Sequence, residues 1–291
     1  MRACAADLDG YVERDGVSLF FEVFGEHEPT VLLLPAWSII HSRHWKAQTP
    51  YLARHFRVVT FDGRGNGRSS RPSGADSYLD TEFAADALAV LDHLGVERSV
   101  LVGVSRGAYW ALLLAGHHPD RVLGIVALAP SVFIDDSDDD PASFFDPPED
   151  AQGWKKFNQH HWRANQRDFI EFFFGETCPE PHSTKQIEDC VGWGMETTAE
   201  VLIDTTLAKM RRDGSEIDEM LRQVRCPVLV VHGTDDRIIP VTSSERLATA
   251  TGGNLITLVG AGHLPHGRQP VQINLLIREF VDRLSLSKVE W

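Results

Sequence analysis

The residues Gly103-Val104-Ser105-Arg106-Gly107 put a serine between glycines two positions before and two after it. An apolar run (residues 99–104) precedes this stretch, and a helix-like apolar segment follows. A nucleophile raised on a sharp strand-to-helix turn needs small neighbours at those two positions, because the backbone crowds strand against helix there. The same turn aims the first helical N–H groups at any negative charge that develops nearby. A serine hydroxyl also needs an adjacent base. "GAGHLPH", after the last apolar run, offers His263, with His266 as its nearest competitor among 13 histidines. "HGTDDRIIP" offers Asp235 and Asp236, either of which can orient a histidine and stabilise its protonated form. Serine, carboxylate and histidine together make a nucleophilic acyl-transfer set that needs no cofactor and no metal.

The elements around these residues place them at strand ends. "YVERDGVSLFFEVFGE" (residues 11–26) reads as two strands about an Asp-Gly turn. "TVLLLPA" (30–36), "RVVTFD" (57–62), "SVLVGV" (99–104) and "VLGIVALAP" (122–130) are short apolar runs of the kind covered on both faces. Between them lie a helical segment around Pro50 and "DTEFAADALAVLDHLGV", with Asp80 and Thr81 as candidate caps and Gly95 as its stop. This alternation predicts βαβ units and a mostly parallel sheet with helices on both faces. The rhythm stops at residues 131–224, an acidic, Pro-rich stretch followed by helical segments rich in Trp, Phe and Met. It resumes with "CPVLVVHG", "SSERLATATG", "NLITLVGAGH" and "PVQINLLIREFVDRLS". The expected organisation is a core domain of residues 1–130 and 225–291, with a helical cap, 131–224, inserted after strand 6. In an open parallel sheet ligands bind at the carboxyl ends of the strands, where all three motifs fall.

Composition bounds the partners. The 291 residues carry a formal net charge of −14 and 43% apolar residues, enough for one large α/β domain. That acidity argues against nucleic acid or an anionic membrane surface as partner. Neither an apolar leader nor a run of membrane-spanning length stands out, and the four scattered cysteines form no C-x-x-C pair. A reduced, cytoplasmic setting is the expectation. The pairs His117-His118 and His160-His161 lack i, i+4 ligand spacing, and the run Asp135 to Asp140 lacks the glycine and terminal glutamate of a calcium loop, so no metal is expected.

The order Ser, Asp, His resembles that of the α/β-hydrolase superfamily, in its cap-bearing serine esterase-like branch. The resemblance spans most of the chain. It includes "FDGRGNGRSSRP", similar to the family's D-x-R-G-x-G-x-S loop, "GTDDRIIP", similar to its G-x-x-D-x-x-x-P acid motif, and "GAGHLPH", similar to its histidine motif. The resemblance implies Ser105 as nucleophile, His263 as base and Asp236, by its spacing from Gly233, as the acid. It also implies an oxyanion hole made by the backbone N–H groups of Trp37 and Arg106. Here the chain departs from the pattern, since Pro35 and Ala36 stand where the family has His-Gly. A serine nucleophile disfavours the epoxide-hydrolase and haloalkane-dehalogenase branches, which use aspartate. The expected activity is hydrolysis of an ester or lactone of a small, partly apolar acyl substrate. Trp37, Ser38, Trp162, Phe173 and Trp193 are the candidate pocket residues. Arg64 and Arg68 are expected to brace loops, and the Arg106 side chain to pair with a nearby acid. The same triad also serves C–C bond or thioester hydrolysis, perhydrolysis and acyl transfer, including to or from a carrier-bound substrate. A non-catalytic ligand sensor on the same fold remains an alternative.

Overall fold

A computed structural model describes residues 4–133, 142–210 and 214–286. The apolar runs form eight strands: β1 (Leu8–Arg14), β2 (Val17–Phe24), β3 (Thr30–Leu33), β4 (Arg57–Phe61), β5 (Ser99–Val104), β6 (Val122–Leu128), β7 (Val228–Gly233) and β8 (Asn254–Leu258). They make one sheet in the order β1-β2-β4-β3-β5-β6-β7-β8. The hairpin β1–β2 is antiparallel and adds to β4 in antiparallel sense. Every other pairing is parallel, so the mostly parallel sheet read from the sequence is the one that forms.

The helices are α1 (Thr49–Leu52), α2 (Asp80–His93), α3 (Arg106–His117), α4 (Ala142–Phe145), α5 (Gln159–Thr177), α6 (Thr184–Gly194), α7 (Ala199–Lys209), α8 (Gly214–Gln223), α9 (Val241–Thr251), α10 (Pro265–Arg268) and α11 (Pro270–Leu286). Alternation along each strand separates two cores. Leu32, Leu34 and Leu101 pack with apolar residues of α2 and α3. Val31, Leu33, Val100, Val102 and Val104 pack with α1 and α11. Between β6 and β7 the described residues form helices and no strand. Within the expected insert, Ile217, Met220 and Leu221 of α8 and Val201 and Ala208 of α7 pack into the core of α2 and α3, and Met220 lies against Gly116 of α3. The acidic run at 135–140 lies outside the described residues. The four cysteines are free thiols. No helix among the described residues is long and apolar enough to cross a membrane.

Two expectations about polar residues resolve through burial. Asp80 does not cap α2, whose N-cap is Leu79 without a side-chain bond. Its carboxylate instead accepts the Trp110 indole N–H at 2.6 Å and pairs with the Arg106 guanidinium at 3.1 Å. A buried indole N–H and a buried guanidinium each need an acceptor, and that need outweighs a local cap. Arg64 grips Asp86 through two bonds of 2.7 and 2.6 Å and also donates to the Ser77 carbonyl, bracing the loop after β4. Arg68 stacks on the Phe20 ring at 3.7 Å.

Candidate active site

The carboxyl end of β5 runs into α3 through Ser105, whose backbone sits at φ 56°, ψ −122°. A non-glycine residue there stores strain of about 1–3 kcal/mol, which only dense surroundings can hold. Those surroundings explain the flanking glycines. A Cβ on Gly103 would lie 2.4 Å from the Gly107 carbonyl, and one on Gly107 would lie 2.2 Å from the Pro35 carbonyl oxygen. The Ser105 N–H donates to Leu128 O of β6 at 2.9 Å, pinning the turn to the neighbouring strand.

Asp236 follows β7, and its side chain is 1% exposed. One carboxylate oxygen accepts the Ile238 and Ile239 N–H groups at 2.8 and 3.0 Å. The other accepts His263 Nδ1–H at 2.8 Å and lies 3.1 Å from His232 Nε2. Burial alone would raise this carboxyl's pKa. The His263 charge, the His232 and His263 hydrogen bonds and the Ile239 N–H outweigh burial and hold it well below the usual carboxylate range. Asp235 is exposed, and its carboxylate accepts the neighbouring Thr234 hydroxyl at 2.9 Å.

The loop after β8 turns back across the sheet's carboxyl edge. Ala261 O accepts the Asp235 N–H at 2.9 Å, so the loop passes over the end of β7. Further on, α10 reaches the segment that follows β3: Gln48 Nε2 donates to His266 O at 2.9 Å, and His44 Nδ1 lies 3.0 Å from His266 Nε2. His263 thus sits on a span that runs from β8 toward the segment after β3. With Nδ1–H donated to Asp236, the neutral ring presents Nε2 as an acceptor.

The loop after β3 brings Trp37 beneath the insert. Its indole N–H donates to Thr205 Oγ1 of α7 at 2.6 Å, and Arg106 donates to Thr205 O at 3.1 Å. The Trp37 ring meets Phe173 at 5.4 Å, Trp162 at 6.1 Å, Phe157 at 6.2 Å and Phe169 at 6.3 Å between centroids. The structure therefore groups Trp37, Trp162 and Phe173. Ser38 is buried and donates its hydroxyl to Arg64 O at 2.9 Å. Trp193 stands apart, against His41 and beneath Lys46. It borders two cavities of about 110 and 70 Å³ whose walls include neither Ser105 nor His263. His160 and His161 have local partners, Phe145 O at 2.8 Å and Asp168 at 2.9 Å.

The sequence reading missed several residues here. Thr205 has partners remote in sequence, Trp37 and Arg106, whereas His232 sits four residues before Asp236, inside the apolar run of β7. His266, weighed there only as a rival base, is instead a fully buried partner of His44. Burial first, then the nearby His263 charge, pushes its pKa down to about 3. His44 is likewise driven well below its ordinary value of 6.5, first by burial and then by the His266 and His41 charges. A histidine held neutral in the fold refuses a proton that the unfolded chain accepts. For His266, stability therefore rises with pH between about 3 and 6.5 and is lost on acidification through that window. Each refused proton adds up to about 1.4 kcal/mol per pH unit to the slope. We expect His266→Gln to flatten the dependence of unfolding free energy on pH between 5 and 6.5, read by urea titration. An unchanged slope would mean that the buried imidazole does not control it.

A family profile described as "alpha/beta hydrolase fold" matches residues 29–268. A bifunctional esterase/perhydrolase of Acinetobacter calcoaceticus is 26% identical over 94% of this chain and 98% of its own length. A non-heme haloperoxidase of Rhodococcus erythropolis is 30% identical over 87% of this chain and 90% of its own. Among solved structures, a hydrolase from Pseudomonas aeruginosa superposes with a TM-score of 0.79 at 26% identity, covering 95% of this chain and 99% of its own. The matched span runs from the residue before β3 to the last residue of α10 and includes the elbow, the acid loop and the histidine loop, so the chain belongs to the α/β-hydrolase fold family.

Proposed function

We propose that the protein is a serine hydrolase that cleaves a carboxylic ester or lactone through Ser105, His263 and Asp236. The observation that carries this reading is the strained Ser105 turn at φ 56° on the same sheet edge as the 2.8 Å His263–Asp236 pair. Ser105 Oγ attacks the acyl carbon while His263 Nε2 takes its proton. Asp236 holds the ring in the required tautomer and offsets the imidazolium charge. The oxyanion is stabilised by the backbone N–H groups of Trp37 and Arg106. Arg106 opens α3, and the first N–H groups of a helix have no acceptor within their own helix. The tetrahedral species collapses, the C–O bond breaks, and the leaving oxygen takes the proton from His263. Water, deprotonated by His263, then releases the acid and restores Ser105.

The insert 131–224 serves as the cap, and its helices α7 and α8 also pack against the core domain. The aromatic group of Trp37, Phe157, Trp162, Phe169 and Phe173 supplies the apolar wall against which the acyl or alkyl chain packs. The names of the two relatives favour one variation on this chemistry: hydrogen peroxide in place of water at the acyl-enzyme would release a peracid.

A fluorophosphonate probe tests the reading, with Ser105→Ala as control. Wild type is expected to label at one serine and the variant not at all, and p-nitrophenyl esters of rising chain length are expected to show a cut-off. A folded wild-type protein that neither labels nor turns over any ester would overturn the assignment. Stabilisation by a compound that is not consumed would then point to a ligand sensor.

A further inference from the structure

The backbone around His263 is held by the insert. The His263 N–H donates to Thr177 O, at the end of α5, at 3.0 Å. The preceding Gly262 N–H donates to Glu180 Oε1 at 2.8 Å. Glu180 lies on the short link between α5 and α6. Its other oxygen, buried and without a hydrogen bond, faces Arg268 Nε of α10, which is also buried and without one, at 3.9 Å. Arg268 in turn donates to Pro181 O and His182 O of the same link, at 2.9 and 3.4 Å. The link thus grips the histidine loop on both sides of His263. The contact is close at the backbone level: a Cβ on Gly262 would lie 2.4 Å from Pro179 Cδ and 2.9 Å from Thr177 O.

We propose that Glu180 is a positioning residue for His263, so that the insert holds the base in register as well as covering the substrate. The proposal rests on the serine-hydrolase reading above. Its physical basis is that the successive N–H groups at 262 and 263 end on Glu180, in the α5–α6 link, and on Thr177, the last residue of α5. The side-chain bond to Asp236 orients the ring, and the bond from the Asp235 N–H to Ala261 O ties the loop to the end of β7. Glu180 adds a tie next to the base itself, accepting the Gly262 N–H and facing Arg268 of α10. A displacement of about 1 Å at a reacting group lowers the rate about a hundredfold, so a small movement of this loop has a large effect.

Three substitutions separate the possibilities. Glu180→Ala removes the acceptor and the charge, and is expected to lower kcat by about tenfold or more with KM unchanged. Glu180→Gln keeps a carbonyl oxygen where Oε1 stands, and is expected to restore kcat. Glu180→Asp keeps the charge but draws the acceptor back by one methylene, and is expected to fall between them. It is also the variant to read if the alanine protein does not fold. The downfield proton resonance of His263 Nδ1–H reports ring position without any turnover. It is expected to broaden or shift in the alanine and aspartate proteins and to keep its wild-type position in the glutamine protein. A folded Glu180→Ala protein with wild-type kcat and an unmoved resonance overturns the proposal. So does a glutamine protein as impaired as the alanine one. An inert wild type would instead overturn the hydrolase reading, and the resonance would still decide the clamp.

Discussion

Ser105→Ala and His263→Ala are each expected to abolish ester turnover while leaving the thermal unfolding temperature close to that of the native protein. Where a serine–histidine pair acts as a unit, removing either member lowers kcat on the order of 10^6-fold, and removing both does little more. The expected result here is a loss of at least about 10^4-fold for each single variant and no further loss for the pair. Steady-state kinetics on a p-nitrophenyl ester reads the effect. Retention of folding is also expected. Ser105 contributes strain rather than packing, and alanine keeps the Cβ that the turn already accommodates. The His263 N–H to Thr177 O bond is a backbone contact and survives the substitution. Substantial residual turnover in either variant would sink the triad assignment.

Asp236→Asn is expected to be far more damaging than Asp235→Asn. Asp236 receives four hydrogen-bond contacts, from Ile238, Ile239, His263 and His232, and its side chain is 1% exposed. An asparagine amide can turn its NH2 toward His263, which then holds its proton on Nε2 and cannot take one from Ser105. That wrong tautomer lowers kcat by about 10^4-fold in the serine protease template. Asp235 is exposed and bonded to Thr234, so its neutralisation is expected to change kcat little. There is a stability consequence with a defined sign. A carboxylate whose folded pKa lies below its ordinary 3.8 contributes stability that is present above that value. The contribution is lost as pH falls through the folded pKa. The asparagine variant should therefore be less stable than wild type at neutral pH, with the gap closing in acid. The reverse ranking of the two variants in kcat would move the acid by one residue.

What the sequence determined by itself was local. Gly103 and Gly107 are legible because the close approach at the elbow leaves no space for a side chain two positions from Ser105. The strands are legible because a buried parallel strand has to be a short apolar run, as β3, β5, β6 and β7 are. Strand ends and chain order then put Ser105, Asp236 and His263 on one edge of the sheet. Tertiary structure alone decided which distant groups satisfy buried polar atoms. Asp80 looked like a helix cap but serves Trp110 and Arg106, because a buried donor takes whatever acceptor the packing brings near. His266 looked like a rival base but faces His44, 222 residues away in sequence. Trp193 carried the same composition signal as Trp162, yet one lies beside His41 and Lys46 and the other beside Trp37. Glu180 and Thr205 carried no signal at all. An acceptor for a backbone N–H or an indole needs only an oxygen at the right point in space, and no spacing along the chain encodes where that point will be.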